Sequence, residues 1–90
     1  MLTLTEDAAT LVRSLTDRDG GTPSSGLRIA VDPDHHSLAM AIAPAPAPAD
    51  EVVVSGGARL FLSQPAAARL DARTLHAEIS SDRSLFFLDT

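Results

Sequence analysis

The chain contains no cysteine among its 90 residues. Disulfide scaffolds, thiolate zinc sites and thiol nucleophiles are therefore all excluded. Aromatic side chains are also scarce, because there is no tryptophan, no tyrosine and only three phenylalanines. The core must then consist mainly of leucine, valine, isoleucine and alanine, whose larger members gain about 1.5–3 kcal/mol each on burial.

The chain also has few positively charged residues. Seven basic residues stand against twelve acidic ones, the net charge is −5, and every base is an arginine. The arginines are scattered from Arg13 to Arg83 and form no run. Because phosphate binding needs a basic patch, the composition predicts no nucleic-acid partner.

Long apolar runs are missing as well. None approaches the roughly 20 residues of a membrane-spanning helix, and the first residues lack the basic and apolar regions of a signal peptide. The sequence therefore predicts no membrane partner and a cytoplasmic location. A length of 90 residues predicts one domain, residues 1–90.

The first segment has the pattern of an amphipathic helix. Thr5 is the preferred N-cap, although Thr3 and Glu6 have the spacing of a rival capping box. Arg13 and Asp17 are placed to form an ion pair on the polar side. Apolar residues recur at i, i+3, i+4 and i+7 along one face: Ala8, Leu11, Val12 and Leu15.

The pattern of the remaining residues predicts mostly short strands. A glycine pair at 56–57 predicts a tight hairpin, and Pro65 begins a short helix to Leu70, capped by Ser63 or Gln64. Alternating prolines at 44–48 predict a stiff connector between two strands. Strands are expected at 27–31, 37–43, 51–55, 58–62, 74–80 and 84–88.

These elements predict an α+β fold. Short mixed β-strands would form a compact sandwich-like or barrel-like arrangement with an N-terminal helix and one short helix. The apolar runs 52–54 and 60–62 are expected to form either a core hairpin or an exposed edge that supports oligomers.

The densest group of metal-capable side chains is His35 and His36, which follow Asp32 and Asp34. Imidazole with carboxylate suits a weak mononuclear iron or zinc site, completed by a second chain or by His76. The alternative is a solvated turn, since Asp-Pro-Asp is ordinary turn chemistry. Adjacent side chains in extended backbone point in opposite directions, which disfavours joint binding by both histidines.

Several stretches together resemble the HesB-like, or IscA-like, A-type iron–sulfur cluster assembly family. The family is similar in its Leu-Thr lead-in and first helix, here residues 1–9, and in a Gly-Leu-Arg strand, here residues 26–31. A proline-rich stretch and an acid then precede a hairpin, as at 48–53. The next strand and short helix, residues 59–70, also fit, and the order covers nearly the whole chain.

The chain departs from the family at the cluster ligands. The resemblance places His36 and Ser37 where the family has Cys-Ser, with His35 and Leu38 at the flanking glycines. The family's Cys-Gly-Cys motif has no counterpart before Thr90. Because clusters are held mainly by cysteine thiolates, no iron–sulfur cluster is expected.

The resemblance therefore implies a cysteine-free, divergent member of the family. It predicts a non-catalytic accessory or protein-interaction module, without a cofactor, that binds iron–sulfur assembly components and forms a homodimer or homotetramer. The alternative is a weak iron-binding protein that uses His36 with His35 or a nearby aspartate. A serine–histidine–acid set can be assembled from Ser37 and His36, but no nucleophile motif supports an enzyme.

Overall fold

The computed structural model describes residues 2–18, 24–34 and 36–88. The elements occur in the order β1 (Thr3–Leu4), α1 (Glu6–Arg18), β2 (Gly26–Val31), β3 (Leu38–Ala43), β4 (Glu51–Ser55), β5 (Ala58–Leu62), α2 (Gln64–Leu70), β6 (Thr74–Ile79) and β7 (Ser84–Leu88). Every predicted strand and helix is present within one or two residues of its expected bounds.

The caps explain where the helices begin. The Thr5 hydroxyl accepts a hydrogen bond from the Ala8 amide at 3.1 Å, so Thr5 caps α1. The Ser63 hydroxyl accepts from the Ala66 amide at 3.3 Å and caps α2. Arg13, by contrast, donates to the Gly56 carbonyl and to Thr10 instead of pairing with Asp17, because α1 packs beside the β4–β5 turn.

The strands form two sheets. One has the order β1-β6-β7 and the other β3-β2-β5-β4, and each mixes parallel and antiparallel pairs. In the described ranges both sheets are open and do not close into a barrel, so the sandwich-like form of the predicted α+β fold is confirmed. The β4–β5 hairpin turns at Gly56 and Gly57, whose φ angles of 57° and 80° favour glycine.

The core lies between the sheets and the helices. Strands β3 and β7 contribute only partly buried side chains to it. The other elements supply the buried residues: Leu2, Leu4, Ala8, Ala9, Leu11, Val12, Leu27, Ile29, Val53, Ala58, Leu60, Leu62, Ala66, Leu70, Leu75 and Ala77.

A second buried position lies on the opposite face of the four-stranded sheet. Phe61 has no exposed surface, yet it points away from the core because its neighbours Leu60 and Leu62 point inward. A side chain at Gly26 would come within 2.8 Å of the Phe61 ring and of the Arg59 carbonyl. The Gly-Leu-Arg strand thus begins with glycine because an aromatic ring occupies that space.

The connector at residues 44–50 crosses this same face. It must pass β2 and β5, because it joins β3 and β4 at opposite edges of the sheet. Arg28 on β2 donates from Nε to Asp50 Oδ2 at 2.9 Å and from Nη2 to Oδ1 at 3.1 Å. Two of the segments that carry the family resemblance, residues 26–31 and 48–53, are therefore joined by a bidentate ion pair that no sequence pattern indicated.

Candidate functional site

The β2–β3 turn holds the predicted metal ligand. The Asp32 amide donates to the Ser37 carbonyl at 2.7 Å, and the His36 amide donates to the Asp32 carbonyl at 2.8 Å. The Asp34 amide donates to Asp32 Oδ1 at 2.9 Å. Aspartate side chains commonly bind backbone amides in this way, so the turn chemistry predicted for this segment is confirmed.

His36 occupies a left-handed backbone position in this turn. Its φ angle is 55°, and its side chain is exposed. Its carbonyl accepts a hydrogen bond at 2.5 Å from Nη1 of Arg69 on α2. Arg69 thus ties the turn to the short helix, a contact that no sequence pattern indicated, and the imidazole is left facing solvent.

Among the described residues, His76 lies apart from the turn that holds His36. His35 lies outside the described residues, so its prediction cannot be compared with the structure. His76 lies on β6 in the other sheet, where its ring stacks on Phe87 with centroids 5.1 Å apart and planes 9° from parallel. Across residues 2–18, 24–34 and 36–88, no group of three or more histidine, aspartate or glutamate side chains is placed to hold a metal ion.

These donors do not fit an iron–sulfur cluster. Clusters are bound by thiolates, with histidine replacing some of them in certain sites. The chain supplies no thiolate, and of the two neighbouring histidines only His36 is described, with a single imidazole on an exposed turn. Nothing in this donor set supports a cluster bound by one chain alone.

A groove of about 700 Å³ lies on another part of the surface, between α1, β3 and the β6–β7 hairpin. Serines and the charged residues Arg18, Asp82 and Arg83 form much of its polar lining. No histidine of the described residues lines it, so none of them offers a serine there the usual general base. Its apolar lining includes Leu11, Leu15, Leu27, Met40, Ile42 and Phe86.

Asp50, at the end of the connector, is an acidic side chain whose pKa is shifted by its surroundings. Hydrogen bonds from Arg28 hold the pKa of the Asp50 carboxyl below its ordinary value. Burial opposes that effect, while the Ala47 amide and the Arg28 charge add to it. Since a permanently charged guanidinium satisfies this carboxylate, the pair has the character of a structural clamp.

The helices of the described residues include none long and apolar enough to cross a membrane. No protein-family model matches the sequence, and no curated protein matches it.

Solved structures do match the fold. One is SufA from Escherichia coli, a protein involved in the biosynthesis of iron–sulfur clusters, at 24% identity and a TM-score of 0.79 over 98% of this chain and 83% of SufA. Another is IscA with its [2Fe-2S] cluster, at 22% identity and a TM-score of 0.73 over 99% of this chain and 84% of IscA. A protein from Aquifex aeolicus, solved by solution NMR, matches at 15% identity and a TM-score of 0.76 over 99% and 90%.

The fold predicted from the family resemblance is confirmed by these matches. The chain has the α+β, HesB-like fold of the iron–sulfur assembly proteins SufA and IscA, and it has this fold without a single cysteine.

Proposed function

We propose that this chain is a divergent HesB/IscA-like protein of iron–sulfur biogenesis that holds no cluster and acts as a non-catalytic accessory or protein-interaction module. The observation that carries the proposal is the match of fold over 98% of the chain with SufA, combined with the absence of cysteine. A chain that has this fold but lacks the thiolate ligands is suited to binding partners of the process rather than to holding a cluster.

The rest of the proposal extends the family resemblance. Residues 1–90 act as one HesB-like domain, the partners are iron–sulfur assembly components, and the chain works as a homodimer or homotetramer in the cytoplasm.

A second candidate is a weak mononuclear iron site. It would use His36 with His35 or with a nearby aspartate, and a second chain would complete it. The observation in its favour is that the His36 imidazole is exposed beside the exposed Asp34, so neither side chain would need to be uncovered to bind an ion.

Anaerobic incubation with ferrous iron, with and without sulfide, tests both candidates. After desalting, iron is measured and the absorbance spectrum is recorded for the wild type, for His36→Ala and for the matched control His76→Ala. The proposed module retains no iron and shows no cluster absorbance. Iron that is retained by the wild type and by His76→Ala, but lost in His36→Ala, would establish the second candidate instead.

A further inference from the structure

The groove beside α1 exposes side chains that point toward the core. It has a volume of about 700 Å³. Alternation along β3 and β6 directs Met40 and Ile79 to the same side as Ile42 and Ala77, which pack in the core. Met40 is nevertheless 41% exposed and Ile79 is 48% exposed. Inward-facing apolar side chains from both sheets are therefore left uncovered at the groove.

The charged side chains of the groove have one positive charge in excess. Those among the described residues that line it are Arg18, Arg83 and Asp82, whereas the whole chain has a net charge of −5. Neither guanidinium has an ion-pair partner within the described ranges. Because guanidinium groups bind carboxylates through paired hydrogen bonds, one carboxylate would balance the charge of this lining.

Both arginines are attached to ordered backbone. The Ser80 hydroxyl donates to the Arg83 carbonyl at 2.6 Å and accepts from the Arg83 amide at 3.2 Å, which fixes the β6–β7 turn. Arg18 is the last residue of α1. Ser14 and Ser84 also line the groove and offer hydroxyl groups. An apolar surface, two positioned cations and hydroxyl donors are thus combined in one concave region.

We propose that this groove binds a single-chain amphiphile with a carboxylate head, of the class to which medium-chain fatty acids belong. The apolar chain covers Met40 and Ile79, and the carboxylate accepts hydrogen bonds from Arg18 and Arg83. Small-molecule sites are mostly apolar, contain a few polar groups and have volumes of about 300–1,000 Å³, which this groove matches. A doubly charged phosphate head would exceed the single positive charge of the lining.

Calorimetric titration with sodium dodecanoate, kept below its micellar concentration, tests the site. One molecule is expected to bind per chain. Acetate has the carboxylate without the chain, and dodecyltrimethylammonium has the chain with a cationic head, so each should bind at least about tenfold more weakly. The net charge of −5 favours the cation in general, so a preference for dodecanoate has to arise from the groove.

Two variants test the cations and the apolar space separately. Arg18→Gln with Arg83→Gln should weaken dodecanoate binding about tenfold or more, because the carboxylate loses its charged donors. Arg73→Glu is the matched control, since it changes the net charge by the same amount at an exposed residue outside the described lining. It should bind as the wild type does. Ser14→Phe should abolish binding, because the added ring occupies the groove while circular dichroism shows an unchanged fold.

Methyl NMR locates the bound molecule. The chain has only two methionines, so a methionine-labelled sample gives two methyl signals, and Met40→Leu assigns one of them. Dodecanoate should shift the Met40 signal over the same concentrations at which calorimetry detects binding. In the variant with Arg18→Gln and Arg83→Gln, the same shift should need about tenfold more dodecanoate.

Four results would overturn the carboxylate site. They are a wild type without saturable dodecanoate binding, equal affinities for dodecanoate and dodecyltrimethylammonium, an Arg18→Gln and Arg83→Gln variant that binds as well as Arg73→Glu, and a Met40 signal that does not move. None of these measurements involves iron or a protein partner, so this site and the proposed function can fail separately.

Discussion

Replacing Phe61 by alanine is expected to lower the free energy of unfolding by about 3–5 kcal/mol. The ring is fully buried on the face of the four-stranded sheet that the 44–50 connector crosses, and it fills the space above Gly26. Removing it leaves a cavity that the glycine cannot fill. Domains have only about 5–15 kcal/mol of stability in total, so this single change should leave a marginally folded protein.

Urea denaturation followed by circular dichroism measures this loss. Val54→Ala is the matched control, because Val54 lies on the same face of the same sheet but is 61% exposed. The control should change the unfolding free energy by no more than about 0.5 kcal/mol. A Phe61→Ala protein as stable as the control would mean that the connector does not cover this face.

Replacing Asp50 by alanine is expected to cost about 2 kcal/mol, the scale of hydrogen bonds made to a charged group. The carboxylate is only 3% exposed, and it accepts hydrogen bonds from Arg28 and from the Ala47 amide at 3.0 Å. Its loss leaves the Ala47 amide and one side of the guanidinium without their partner. The connector should then be held less firmly to the sheet than in the wild type.

The effect of Asp50 should depend on pH. The pKa of the Asp50 carboxyl in the folded protein is lowered, chiefly by the hydrogen bonds from Arg28. A lowered pKa adds stability that is complete above the unfolded value, about 3.9, and is lost as the pH falls through the folded value. The stability difference between wild type and Asp50→Asn should therefore be constant near neutral pH and shrink below about pH 4.

Urea denaturation at a series of pH values checks this dependence. Asp34→Asn is the control, because Asp34 is exposed and its side chain has no ion-pair partner among the described residues. A difference between wild type and Asp50→Asn that grows as the pH falls below 4 would contradict the ion pair as the source of the effect.

The elements of this fold were predictable because local signals specify them. The spacing of Ala8, Leu11 and Val12 defines a helix face regardless of what covers it. The glycine pair at 56–57 specifies its own turn through positive φ angles. These signals act over a few residues, so they can be recognised without knowing how the rest of the chain folds.

The strand order and the contacts that depend on it were not predictable in this way. Phe61 and Val54 alternate onto the same face, yet one is fully buried and the other is 61% exposed. The difference arises from where the connector crosses the sheet, which depends on β3 and β4 lying at opposite edges. The same long-range geometry pairs Arg28 with Asp50 and draws Arg13 to Gly56 instead of Asp17.

The candidate site likewise contains some contacts that the sequence predicted and others that it did not. The turn at Asp32 followed from its composition, because an aspartate side chain can bind the amide two residues later. The hydrogen bond from Arg69 to the His36 carbonyl joins residues 33 positions apart and has no sequence signal. Metal binding by His36 stays a prediction.

The most direct test of whether this chain can hold an iron–sulfur cluster is to expose it to a cluster that is already assembled on another protein. IscA carrying its [2Fe-2S] cluster is immobilised anaerobically, and this chain is passed over it beside a cysteine-containing acceptor as a positive control. Iron and acid-labile sulfide are then measured in the eluted proteins. The proposed function predicts that the control acceptor elutes with both and that this chain elutes with neither. Iron and sulfide recovered in equal amounts on this chain would contradict it.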